Sequence, residues 1–380
     1  MIRRFWKILT GEWKTILHDD GVFLVLVGAT VIYSALYGFI YAPQVVRDMP
    51  VAVVDCDMSA ESQALTMAVN ATPAARVVAH CTTLEEAKEM FLSRKVVGVM
   101  LINKGYEAQI STGIPAHVSV YADGSYFLLY SGFLSAVSDV VIERGAQIEI
   151  DNLTASGLDE HRAQGIAQPV KYKVDRLYNP YNGYASALLP SVLLVILQQV
   201  LLIGIGMGMG TDSEFRRWGR YCGSSTLTVT MGKALAYFLF FIPLCFYLFW
   251  ADYRFFGYPI NGNEMEVILF LLPYLLSIIF LGITFGSLLH RRESAILYLA
   301  VFSVFLIMVS GISWPKEGMP SWMYYGAQVL PSSSAINGFM RLRAAGAELS
   351  SVLVEWITLW ILTFIYATTA VIAVARARRR

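Results

Sequence analysis

Long apolar runs separated by short charged stretches set the rhythm of this chain, and one long polar insertion breaks it after the first run. Gly21 to Ala42 carries no charged side chain. At about 1.5 Å of rise per residue, a helix of that length crosses the roughly 30 Å hydrocarbon core of a bilayer. Five further runs repeat the pattern, over Ala185 to Met209, Thr226 to Trp250, Val267 to Leu289, Ala295 to Ile312 and Val352 to Ala375. The fold class this predicts is a polytopic α-helical membrane protein with six transmembrane helices. Ahead of the first run, Phe5, Trp6, Ile8, Leu9, Trp13, Ile16 and Leu17 fall on one side of a helical projection, with Arg3, Arg4, Lys7 and Lys14 toward the other. That predicts an amphipathic helix over 1–20 lying in the membrane surface. The stretch has no uninterrupted apolar core and no small-residue cleavage site, so it does not read as a cleaved signal peptide.

The insertion, residues 43–183, has the texture of a folded soluble domain. Val51 to Asp57 reads as a buried strand followed by a helix capped at Ser59, and ARVVAH as a second strand. Thr82 and Thr83 open another helix with Glu85 and Glu86 at capping-box spacing. VVGVMLI and HVSVYAD read as further strands, after which Ser125 to about Gln164 turns helical, to pack on the sheet or to stand as a stalk. Alternating strands and helices predict an inserted α/β domain with parallel pairing. The rest, 184–380, holds the remaining spans.

Between the last two runs, residues 311–343 are aromatic and half apolar, yet Pro315, Pro320 and Pro331 forbid a continuous helix. Broken backbone at membrane depth must be covered by protein or line a cavity, so the segment at 314–343 reads as a re-entrant helical hairpin. Charge orients the whole. With the N-terminus cytoplasmic, the short inner segments hold Arg3, Arg4, Lys7, Lys14, Arg216, Arg217, Arg220, Arg291, Arg292, Arg376, Arg378, Arg379 and Arg380. The short outer ones hold only Arg254, Lys316, Arg341 and Arg343. That bias puts both termini inside and residues 43–183 outside.

Composition agrees: 56% of residues are hydrophobic, 15% are charged and the mean hydropathy is +0.54, whereas soluble domains carry about a quarter charged. A net charge of +1 gives nucleic acid nothing to bind. The five histidines and four cysteines lack metal-ligand spacing. Cys56 and Cys81 share the outer side and could form one disulfide. Asp55 and Asp57 follow a strand, and read as a turn and helix cap rather than a ligand site. Glycines at 204, 206, 208 and 210, and at 282 and 286, allow close helix approach, either within the chain or at a dimer seam. Deep ionisable residues are scarce: Glu355, at the outer start of the last span, is the one candidate and reads rather as a cap or an interfacial pair, which suits amphipathic or apolar cargo and no proton relay. No G-x-x-x-x-G-K-[ST] loop occurs, since Gly232-Lys233 is followed by Ala234, so this chain hydrolyses no ATP by that route.

Two stretches resemble one family. The spacing Pro315, Met319-Pro320, Trp322, Pro331 and Arg341 is similar to the outer re-entrant segment of ABC-2 type exporter permeases. TDSEFRRWGRYCGSSTLTVTMGKALAYF, with Glu214, Gly219 and Gly232-Lys233, resembles the cytoplasmic segment (211–225 here) through which such permeases receive force from their ATPase. Arg-Arg-Trp-Gly-Arg stands where the family has Gly-Thr-x-x-x-Leu. The resemblance implies that Glu214, Phe215, Arg216, Arg217, Trp218 and Arg291 couple to an ATPase. It further implies that Pro315, Met319, Pro320, Trp322 and Pro331 form the outer gate. It implies two copies of a separate ABC ATPase that bind the ATP and Mg, no cofactor on this chain, and pairing with a second copy or a related permease. The setting implied is a bacterial cytoplasmic (inner) membrane, and a periplasmic adaptor with an outer-membrane channel fits the external domain. A membrane-anchored sensor or assembly factor is the competing expectation.

Overall fold

A computed structural model of the chain describes residues 2–170, 175, 177–179, 183–312, 314 and 316–379. Two compact units result, one formed by Met1–Gln44 with Arg176–Arg380 and the other by Val45–Asp175.

The first unit is helical. Among the described residues five helices are long and apolar enough to cross a membrane: Asp20–Tyr41, Tyr184–Glu214, Thr226–Phe256, Glu264–Leu288 and Leu349–Ala377, here the first, second, third, fourth and last spans. Three of them start where a capping side chain meets their free N–H groups. Asp19 accepts from the Val22 N–H at 3.1 Å, Ser225 from Thr228 at 3.1 Å and Asn263 from Met265 at 3.0 Å. Pro190, Pro243 and Pro273 lie inside helices, as membrane bundles tolerate. The fifth apolar run of the sequence forms a helix over Arg292–Val309. The second and fourth spans carry the largest shares of the buried core, including Leu193, Leu197, Leu201 and Ile205 with Tyr274, Ile278 and Ile283.

The N-terminal helix Ile2–His18 does not spend its whole apolar face on lipid. Ile8, Leu9 and Ile16 are buried, Ile8 lies against Gly232 at the start of the third span, and the Trp13 indole donates to the Ala236 carbonyl at 2.8 Å. Only Trp6 and Leu17 of the predicted stripe remain largely exposed.

Proline breaks the segment before the last span as expected. Ser321–Ala327 and Pro331–Arg343 are separate short helices, with Pro331 in the first turn of the second, where a missing N–H costs nothing. The second arm is almost entirely buried, from Pro331 through Ile336 and again at Gly338, Phe339, Leu342 and Arg343. Gly338 permits this approach, because a Cβ there would sit 2.2 Å from the Phe270 ring of the fourth span. Pro315 lies outside the described residues.

The second unit is a four-stranded sheet in the order β2-β1-β3-β4, with β1 Met49–Asp55, β2 Ala75–Cys81, β3 Gly98–Ile102 and β4 Val118–Ala122. β1 pairs in parallel with β2 and β3, but β4 is antiparallel to β3 and corrects the expectation of uniform parallel pairing. The reason is length. The Tyr106–Ser111 helix between β3 and β4 rises about 9 Å, too little to carry the chain back along a strand of about 16 Å. Val51, Val53, Met100 and Ile102 face Leu65, Val69, Phe133 and Val137, while Ala52, Val54, Cys81 and Val99 face Ala87 and Val96. The long helix Phe127–Ala155 packs its first half on the sheet through Phe133, Ala136 and Val137.

Asp55 and Asp57 do form a turn and a cap. Asp55 accepts from the backbone of Asp57 and Met58 at 3.0 and 2.9 Å, and Asp57 from Gly105 and Glu107 at 2.6 and 3.0 Å. The Glu107 N–H, with help from Ser59, holds the Asp57 carboxyl below its ordinary value. The expected Cys56–Cys81 disulfide is not formed. In the ladder Cys81 stands opposite Val54, and beyond Asp55 the chain turns through Met58 at φ 52° and leaves Cys56 exposed. Cys81 is buried with its Sγ 3.8 Å from Met90 Sδ, and burial, then the Glu86 charge, raises its thiol pKa.

Two outcomes follow from this packing. In a background lacking Cys222 and Cys245, maleimide should label Cys56 within minutes at pH 7 and Cys81 only after denaturant is added, as read by mass spectrometry. Gly338→Ala should destabilise the bundle by about 1–3 kcal/mol through overpacking against Phe270, seen as a lower midpoint in thermal unfolding.

Candidate coupling site and transport cavity

The second span ends at Glu214, and the chain returns through a turn at Arg216 (φ 51°) and a single 3-10 turn, Arg217–Tyr221, to the third span. Lys233, two turns into that span, is fully buried. Its ammonium donates to Asp212 at 2.8 Å and to Glu12 of the N-terminal helix. The Tyr221 hydroxyl donates to Glu12 at 2.7 Å and lies 3.5 Å from Asp212. Burial pushes that hydroxyl far above its ordinary pKa, so it stays a donor. Above the ammonium stand the rings of Tyr221 at 5.2 Å and Trp218 at 5.7 Å. One cation thus holds four elements together: the N-terminal helix, the end of the second span, the returning loop and the third span.

Outside this cluster the elements are tied again. Arg292 reaches both carboxylate oxygens of Asp19 at 2.9 and 2.6 Å, and its N–H donates to Glu214 at 3.2 Å. Arg378 donates to the Tyr221 carbonyl at 3.0 Å, and Arg4 to the Gly223 carbonyl. Beside the Arg292–Asp19 pair lies a cavity of about 740 Å³, lined among others by Lys14, His18, Asp19, Arg217, Arg220 and Arg292.

Of the residues picked from the sequence for coupling, Glu214, Phe215, Arg216 and Arg291 are exposed on this end, and the Arg217 guanidinium lies 5.2 Å over the Phe215 ring. Trp218 is instead turned inward, its indole donating to Ser213 at 3.2 Å beside Lys233. Glu12 escaped notice, though its signal was there: it sits four residues from both Ile8 and Ile16, an acid on the buried stripe of an amphipathic helix. Glu355 pairs with Arg341 at 3.5 Å, as its place at the start of the span implied, but it is not the one candidate for a deep ionisable group: among the described residues Lys233 and Arg343 are fully buried.

At the opposite end Arg343 closes the second hairpin arm. Its guanidinium lies 2.8 Å from Glu264, donates to the Phe249 carbonyl at 2.9 Å, and stands over Trp250 and Tyr253 at 5.5 and 5.2 Å. Of the expected gate residues, Trp322 is 78% exposed, Pro320 is exposed, Met319 is half-buried and Pro331 is buried. The hairpin turn is pinned by the Tyr366 hydroxyl, which donates to the Val329 carbonyl. Against that turn lies an apolar cavity of about 1020 Å³, whose walls include Leu202, Leu281, Phe285, Phe302, Leu330 and Tyr366.

The family model described as ABC-2 family transporter protein matches residues 21–372. The chain belongs to that family. Over its full length and the whole of the relative, it is 22% identical to the probable multidrug ABC transporter permease YbhR of Escherichia coli K12. It is 23% identical to ABC transporter G family member 20 of Dictyostelium discoideum, over 74% of this chain and 39% of that one. To the linearmycin resistance permease protein LnrN of Bacillus subtilis it is 27% identical, over 38% of each. The chain is therefore a multi-pass ABC-2 permease, the transmembrane subunit of a transporter.

In this permease Lys233→Met would leave Glu12 and Asp212 facing each other with no cation between them. The change should cost about 3–5 kcal/mol of stability in detergent-solubilised protein. Adding Glu12→Gln and Asp212→Asn to the same chain should recover most of that loss, and a triple variant no more stable than Lys233→Met would show that the ion cluster is not what holds this end together.

Proposed function

We propose that this permease is the membrane half of an ATP-driven exporter that moves amphipathic or hydrophobic cargo outward across a bacterial cytoplasmic membrane. Two copies of a separate ABC ATPase dock on the end that carries Lys233. The observation that carries this reading is the buried cluster of Lys233, Glu12, Asp212 and Tyr221 beneath a surface that presents Glu214, Phe215 and Arg217. A push on that surface cannot bend the loop alone. It moves the N-terminal helix with the second and third spans as one body.

Orientation is supported by the gathering of Arg4, Lys14, Arg217, Arg220, Arg292 and Arg378 at this one end, the cytoplasmic side under the positive-inside rule. The Arg292–Val309 helix then serves as a sixth crossing, the hairpin is re-entrant from the outer face, and residues 45–175 lie outside. The apolar cavity ends at the hairpin turn, where the path would open when a pair of permeases is driven apart by nucleotide closure. Its walls match a greasy cargo. YbhR carries a multidrug name and LnrN a resistance name, and both accord with such cargo.

The test is co-purification with ABC ATPases encoded nearby. Glu214→Arg and Arg217→Glu should each lower the retained ATPase at least tenfold and abolish any permease-dependent change in its turnover, while Trp322→Ala leaves retention unaltered. Equal retention by all four proteins would overturn the docking surface.

A further inference from the structure

The hairpin turn contains a second, unassigned feature directly beside the apolar cavity. The Pro331–Arg343 helix has no side-chain cap of its own. Its first free N–H, on Ser332, donates 3.0 Å to the Gln198 side chain of the second span. Gln198 is fully buried with its amide oxygen on this helix start, so its amide nitrogen lies at the same place, yet that nitrogen meets no partner among the described residues. The hydroxyls of Ser332 and Ser333, both more than nine-tenths buried, are likewise without partners. Native interiors rarely leave such groups unmatched, and each unmatched donor weighs against the arrangement that buries it. All three can donate, and they gather at the positive end of a helix. One turn along the second span from Gln198 is Leu202, and two residues before Ser332 is Leu330, both walls of the apolar cavity of about 1020 Å³.

We propose that Gln198, Ser332 and Ser333 form the recognition site for the head of an amphipathic cargo bearing an anionic or hydrogen-bond-accepting group, with its apolar body in the adjoining cavity. This names the cargo class of the export path and rests on that reading for the direction of movement. Half-helix N-termini at mid-membrane are physically suited to anionic groups, because the dipole and free N–H groups act where water does not compete. Filling the site supplies acceptors to the three orphan donors.

The experiment uses the whole chain in lipid nanodiscs, without any ATPase, and measures saturable binding of dodecyl phosphate and of dodecyltrimethylammonium, which share a tail and differ in head. The wild type should bind the phosphate about tenfold more tightly, the worth of a charge-assisted hydrogen bond or two. Gln198→Leu should reduce that preference to less than threefold. So should the double variant Ser332→Ala with Ser333→Ala, which keeps the Gln198 contact to the Ser332 N–H and hence the fold. Equal affinity for the two heads in the wild type, or an undiminished preference in the double variant, would overturn the site. Because no ATPase is present, a chain that passes this test but retains no ATPase would refute export and leave the recognition site standing.

Discussion

A charge enclosed by an apolar helical bundle must find its counter-charges inside that bundle, and this requirement governs the permease at its basic end. Lys233 contributes one positive charge, Glu12 and Asp212 two negative ones, and Tyr221 donates to the acid that faces it. The partners come from segments far apart in the chain, so satisfying one ammonium brings the N-terminal helix, the second span, the loop and the third span into a single arrangement. Removing one member leaves the others buried and unmatched, at a cost larger than the pair ever gained. Such a cluster is weak evidence of added stability and strong evidence of a fixed geometry.

The hairpin end meets the same requirement by different means. Arg343 meets Glu264, the Phe249 carbonyl and two aromatic faces, which anchors the far end of the second arm, while its Nε finds no hydrogen-bond partner among the described residues. The turn itself is only half satisfied: Tyr366 and Gln198 each make one contact to it, while the neighbouring serine hydroxyls make none. A fully matched network resists rearrangement, and an under-matched one has less to lose by it. The contrast leaves the basic end held by paired charges and the turn with unmatched donors.

Much of this was legible along the chain. Apolar run length located the spans to within a few residues, since hydrocarbon thickness sets helix length directly. Pro320 and Pro331 marked the breaks of the hairpin because a missing N–H acts locally. Asp55 and Asp57 were read as a turn and cap from their place after a strand. Where the reading fell short, the missing information was a distance. Uniform parallel pairing failed because the six-residue helix before β4 cannot span the sheet. The possible Cys56–Cys81 bond is not formed, because the turn after β1 carries Cys56 to an exposed position while Cys81 is buried in β2.

What the sequence alone determined is therefore what depends on neighbours in the chain: the positions of five long apolar helices, the α/β character of the insertion, the proline breaks before the last span and, through short motifs, the family. Only the tertiary structure decided which charges meet. Glu12 and Lys233 stand 221 positions apart, and Gln198 and Ser332 stand 134 apart. Periodicity can show that each lies on a buried face, but no local rule states what that face touches. Burial makes an unpaired charge or amide costly, and three-dimensional packing alone supplies its partner.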